Sequence, residues 1–331
     1  MQKRLLLVFA LSLSLTTALV GQRFRRFGRG RMGASWSRDG RLVRWRGKLY
    51  EPRTWKERAA KKAGERATSQ RARGFDPFAA LSKALGGRVT PRMLGGRRRF
   101  STLPRAPEGN PGLRKNRDAR VEVALIGDQL WVTGPKIKTR KVAGGLGGVR
   151  HFELSPDGEW VSFIQKKDLF VLGVRDGKRR RLTQDGSEDI FNGELDWVYQ
   201  EEVYGRGNFR GAWWAPRGGK LAFVRIDEKP VDSFAIVDYL PQTLRIEKIK
   251  YPKAGRGNPT IGLRVADAAT GKVREVDLSG YSPKDEILIV RVGWTPSGES
   301  LIFMVQDREQ TWLDLNLADP KTGKVKRLLR E

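Results

Sequence analysis

The chain has 331 residues, a formal net charge of +28 and a sequence pI of about 10.8. It holds no cysteine and one histidine, His151, which excludes a disulfide framework, a thiolate nucleophile and any metal centre built from cysteines or several histidines. At 39% hydrophobic and 31% charged residues, a buried core is possible in one large domain or two ordinary ones.

The charge is uneven. Residues 21–120 hold 29 Lys/Arg against 7 Asp/Glu, or +22, whereas residues 121–331 hold 34 against 30, or +4. Ahead of both, Lys3 and Arg4 precede an uncharged run from Leu5 to Val20. A positive start followed by sixteen uncharged residues is shorter than the ~20 of a spanning helix and reads as a secretory signal peptide over 1–21, or as an uncleaved signal anchor through 5–20. Either reading places the body outside the cytoplasm, periplasmic or extracellular.

Residues 22–120 form a basic, partly irregular region. Arg23 to Gly33 is rich in Arg and Gly and reads as a solvated segment. The alternative is contact with an anionic surface, which extends to a scaffold role for all of 22–120. Nucleic acid is not an expected partner of an exported chain. Residues 35–51 alternate apolar and polar around Asp39-Gly40, a β-hairpin pattern. The stretches from Trp55 to Ala63 and from Phe75 to Gly86 look helical, the second with Asp76 as N-cap, Pro77 at the first helical position and Gly86-Gly87 as stop. Residues 87–118, with Arg97-Arg98-Arg99 inside, read as loop.

From Val121 to Glu331 the pattern is all-β. Phe152–Phe163, Trp213–Phe223 and Gly293–Phe303 each read as strand, Pro/Gly turn, strand, and the Trp36 hairpin is a degenerate fourth copy. A second strand–turn–strand unit follows in Leu169–Leu182, Leu263–Val276 and Leu313–Leu328. Two hairpins in series make a four-stranded meander, the unit of a propeller blade. A β-sandwich also has short strands and turns, but the repeated two-hairpin unit favours a propeller. The expected fold is an all-β partial β-propeller of four to six blades with a helical insertion near the N-terminus.

Chemistry is sparse. There is no Gly-x-Ser-x-Gly elbow, Walker A motif, His-Glu-x-x-His or EF-hand loop. Gly144–Gly148 has no helix after it and reads as a turn between blades. His151 sits directly before a repeat strand and reads as structural. No metal and no cofactor is expected. What stands out is the acidic, aromatic run from Asp189 to Tyr204, which contains Asn192 and Asp196 and ends in adjacent Glu201 and Glu202. Adjacent carboxylates repel, and a cation between them relieves this. Two solvated charges is the ordinary reading of such a pair. With Trp197, Tyr199 and Tyr204 beside it, the pair suits a small ammonium ion held by charge-assisted hydrogen bonds against aromatic walls.

The run Glu188 to Tyr204, then Trp213-Trp214-Ala215-Pro216, then Tyr251 to Thr260, resembles the N-terminal propeller of the dipeptidyl peptidase IV family, in the prolyl oligopeptidase clan of serine peptidases. The likeness is clear over 121–331 and weaker over 35–104. It implies an eight-bladed propeller followed by an α/β-hydrolase domain with the catalytic serine, aspartate and histidine. It further implies that Glu201 and Glu202 lie on a short helix and bind the free α-amino group of a peptide substrate. The family's propeller arginine for a substrate carbonyl matches no position here and would fall before Val121. The sequence ends at Glu331, inside the expected ring and before any hydrolase domain, so the chain is expected to recognise peptide N-termini and not to cleave alone. A separate catalytic hydrolase domain would then be its partner. The alternative is an exported propeller that binds peptides or a protein partner with no enzyme activity.

Overall fold

In the computed structural model the described residues are 34–36, 43–45, 48–50, 57–58, 77–86, 113–116, 118 and 120–331. The signal segment, the Arg/Gly-rich stretch and most of the expected loop over 87–118 lie outside them. The first sheet is a meander of β1 (Ala34–Trp36), β2 (Val43–Trp45), β3 (Lys48–Tyr50) and β4 (Glu57–Arg58), in that order. The hairpin expected at 35–51 is present as Trp36 opposite Val43. Of the helix expected from Trp55 to Ala63 only Glu57 and Arg58 are among the described residues, and these two are strand, paired with Tyr50 and Leu49, where edge pairing overrides local helix preference. The second expected helix is α1 (Pro77–Leu85), which lies against the second sheet.

That sheet runs β5 (Leu113–Lys115), β6 (Glu122–Ile126), β7 (Gln129–Gly134) and β8 (Ile137–Ala143). The Gly144–Gly148 turn then leads to the third, of β9 (Arg150–Leu154), β10 (Trp160–Gln165), β11 (Asp168–Gly173) and β12 (Arg179–Arg181). In the fourth, β13 (Ile190–Asn192) and β14 (Ala212–Trp214) both pair β15 (Lys220–Asp227), which continues into β18 (Thr260–Asp267) and β19 (Val273–Glu275). Between them β16 (Ser233–Asp238) and β17 (Arg245–Lys250) form a separate hairpin. Its apolar side chains are largely exposed, Leu240 at 97%. The last sheet is β20 (Leu288–Trp294), β21 (Leu301–Gln306), β22 (Leu313–Ala318) and β23 (Val325–Arg330).

These are propeller blades stacked face to face, because their central strands are buried on both faces. In β10, Val161 and Phe163 join a core with Val123, Leu130 and Val132 of the second blade. The next residue, Ile164, points to the other face and joins Leu221 and Phe223 of the fourth. In β15 the alternate residues Ala222, Val224 and Ile226 instead meet Ile289, Phe303 and Val305 of the fifth. A period of two on a two-sided strand produces this alternation. Each large side chain so buried stabilises by about 1.5–3 kcal/mol.

The repeated turns are also contact points. The turn of Gly158 lies on Val121, that of Gly218 on Asp157, and that of Gly298 on Pro216, so these hairpins of the third, fourth and fifth blades rest on the blade before. Gly323 shows why glycine stands in such turns. Its φ is +79°, and an added Cβ would collide with the carbonyl oxygen of Glu275.

Candidate functional site

The acidic run begins on the first strand of the fourth blade and leaves it. After β13 the backbone turns out at Gly193 and returns at Gly211. The feet of this excursion are tied together: the Gly211 amide donates to the Gly193 carbonyl (3.0 Å), and the Leu195 amide donates to Phe209 (2.8 Å). Gly211 is required by close approach, since a Cβ there would lie 2.8 Å from Val224 Cγ2 and 3.1 Å from the Glu194 nitrogen.

At its far end Tyr199–Val203 forms a single π-turn, closed by the Tyr204 amide on the Tyr199 carbonyl at 2.8 Å. Such turns are uncommon and recur at functional sites. Asp196 roots it: one carboxylate oxygen accepts the Tyr199 amide at 3.0 Å. Tyr199 and Tyr204 fasten it to the fifth blade by gripping one residue of β20. The Ile289 amide donates to Tyr199 Oη at 3.4 Å, and Tyr204 Oη donates to the Ile289 carbonyl at 3.1 Å. Arg291 Nη1 donates to the Val203 carbonyl at 2.9 Å. Trp197 packs on Tyr251, with ring centroids 4.4 Å apart. The three aromatic residues singled out in the sequence are thus anchors, and their contacts run to other elements of the fold. Burial pushes the Tyr204 phenol above the range of ordinary titration and does the same to Tyr199.

Glu201 and Glu202 end on the free side of this turn. Glu202 is exposed, while the Glu201 side chain is 16% exposed. Glu201 is met by Arg206, whose Nε lies 2.8 Å from Oε1 and 3.1 Å from Oε2, and by Gln200 Nε2 at 3.4 Å. Neither partner was apparent from the sequence. The signal for Arg206 was a lone cation five positions after Glu201, between two glycines.

The remaining acids of the run lie below the turn. Glu194 is buried and bound by Arg150 (2.6 Å) and His151 (3.3 Å). Burial alone would raise its pKa, but the His151 hydrogen bond and the Arg150 and Lys167 charges outweigh that and hold it below the usual carboxylate range. His151 is a structural residue of this network, with φ of +53°. Asn192 donates to Asp185 at 2.9 Å. Asp196, 3% exposed, hydrogen bonds the carboxyl of Glu228, which is 6% exposed. Burial pushes Asp196 up to about 6, against the amide hydrogen bonds it accepts. Burial, followed by the Asp196 charge, pushes Glu228 up to about 8, with Lys167 and Lys250 opposing. The pair therefore shares a proton near neutrality. Among the described residues no group of three His, Asp or Glu side chains is placed to hold a metal ion.

Residues 127–331 match the Dipeptidyl peptidase IV (DPP IV) N-terminal region. The chain belongs to this family. It is 37% identical over 160 residues to the probable dipeptidyl-aminopeptidase B of Talaromyces marneffei, covering 45% of this chain and 18% of that protein. It is 35% identical over 180 residues to dipeptidyl aminopeptidase B of Saccharomyces cerevisiae, covering 52% and 22%. The matched part thus spans about a fifth of those relatives. The crystal structure of Porphyromonas gingivalis dipeptidyl peptidase 4 superposes with a TM-score of 0.58 at 19% identity, over 96% of this chain and 41% of that one, a likeness of fold. The family propeller expected from the sequence is therefore present, with five sheets of at least four strands among the described residues.

Proposed function

We propose that this chain is the substrate-recognising propeller portion of a dipeptidyl peptidase IV-like exopeptidase, and that Glu201 and Glu202 receive the free α-amino group of a peptide. The observation that carries the reading is the contrast within one segment. Asp196, Tyr199, Tyr204 and Arg291 bolt the π-turn to the fold, and the adjacent carboxylates are its free edge. Two carboxylates on a rigid turn meet an ammonium with little ordering cost, and charge-assisted hydrogen bonds favour the protonated amine over an acylated one. Peptide-bond hydrolysis in this scheme belongs to an α/β-hydrolase domain acting with the propeller. Export through residues 1–21 belongs to the same proposal.

Calorimetry on the full chain tests the amine site. A dipeptide with a free N-terminus should bind, and its N-acetylated form should bind at least about ten-fold more weakly, the loss of one charge-assisted interaction. Glu201→Ala with Glu202→Ala should abolish the difference. Equal affinity for the two ligands in the unaltered chain would rule out the amine site.

A further inference from the structure

The proposed amine site already contains a cation. Arg206 is held by its Nε alone, across both oxygens of Glu201, and its side chain is 84% exposed. It lies between Gly205 and Gly207, with φ of +96° and +81°, and a Cβ on either glycine would meet nothing within 4 Å. Gln200 fixes the far side of this short loop, since its Oε1 accepts the Gly207 amide at 2.8 Å while its Nε2 points to Glu201. The loop is thus tethered at Gly207 on the turn that carries the Glu pair, and the guanidinium can leave its carboxylate without disturbing a packed contact.

We infer that Arg206 is an internal competitor for the amine site: it neutralises Glu201 when the site is empty, and a peptide ammonium displaces it into solvent. The inference rests on the amine-site reading and adds the determinant of its affinity. Two carboxylates and one guanidinium leave a single negative charge, and replacing the guanidinium by one ammonium leaves the same charge. An ammonium that bound while Arg206 stayed would face a like charge within a few ångströms. Displacement costs little, because the Arg206 side chain is already 84% exposed and its guanidinium stays hydrated when released. The exchange of one cation for another at Glu201 also makes capture only weakly dependent on salt. Without Arg206 the ligand would approach a doubly negative pair, whose attraction is more strongly screened.

The test is calorimetric titration of the full chain, Arg206→Ala and Arg206→Lys with a free and an N-acetylated dipeptide, at low and at several-fold higher salt. Arg206→Ala should bind the free dipeptide about two- to five-fold more tightly, with a steeper loss in salt. Arg206→Lys should behave as the unaltered chain. Arg206 is on the surface, so matching thermal midpoints will show that the variants fold. If Arg206→Ala binds equally or more weakly while the unaltered chain still prefers the free amine, the competitor role is overturned and the amine site stands. If no protein distinguishes the free from the acetylated ligand, the amine site falls and Arg206 with it.

Discussion

The proton shared by Asp196 and Glu228 makes stability pH-dependent in a defined direction. Both pKa values are raised in the folded chain, to about 6 and about 8. The native state therefore binds more protons than the unfolded chain between those values and the ordinary carboxylate range, and stability falls as pH rises through the window. Moving Glu228 from 4.5 to about 8 would correspond to about 5 kcal/mol if it titrated alone. It titrates with Asp196, and Lys167 and Lys250 offset part of the cost, so about 2–3 kcal/mol between about pH 5 and about pH 9 is expected. Glu228→Gln keeps a donor for Asp196 and removes the second charge. Urea unfolding followed by tryptophan fluorescence should find this variant close to the unaltered chain near pH 5 and about 2 kcal/mol more stable near pH 9. An equal loss of stability in both proteins across the window would refute the shared proton.

Two further substitutions address the blades. Gly323→Ala forces a side chain into a left-handed backbone and against the Glu275 carbonyl. It should cost about 2–3 kcal/mol in chemical unfolding, whereas Gly280→Ala, with no neighbour within reach of a Cβ, should cost much less. Asp314 is buried and bound by Arg330 at 2.7 and 2.8 Å and by Arg327 at 3.3 Å. Burial alone would raise it, but these partners hold it below the usual range. Its contribution is present above the unfolded pKa and is lost as pH falls through the folded one. Asp314→Asn should lower stability by about 1–2 kcal/mol near neutrality and flatten the decline in acid; an unchanged acid limb would exclude this ion pair as its source.

The blades were legible because their turns carry information. Pro156-Asp157-Gly158 and its two later counterparts are written in residues that a stacked hairpin requires, and the strands between them alternate as two-sided burial demands. The second blade was not separately legible. Its strands are joined through Gly127-Asp128 and Pro135-Lys136, which lack the repeated tryptophan–proline–glycine setting. The β16–β17 hairpin is another case: no repeat motif marks it, and its apolar residues Leu240, Leu244 and Ile246 are exposed, because apolar residues in a sequence do not report what covers them. At Glu57 and Arg58 the helical reading fails, since two residues of edge pairing carry no sequence mark against a helix. Nor could sequence pair Asp196 with Glu228 across 32 positions, because that contact depends on the excursion folding back over β15.

The fate of the acidic run bears most on function. Five carboxylates crowd its sixteen residues, and the fold separates them. Asp189 lies 3.5 Å from Lys250, Glu194 is taken by Arg150 and His151, Asp196 by Glu228, and Glu201 by Arg206. Four acids are therefore matched by groups from within the chain, and Glu202 alone has no hydrogen bond or ion pair among the described residues. Three of those four matches are buried or tied to structure. Arg206 is the exception, fully in reach of water. The site thus presents one open carboxylate beside one whose partner can leave, on a backbone that cannot. Under the proposed amine site, that arrangement would receive a compact monocation with several donors, as a peptide ammonium is.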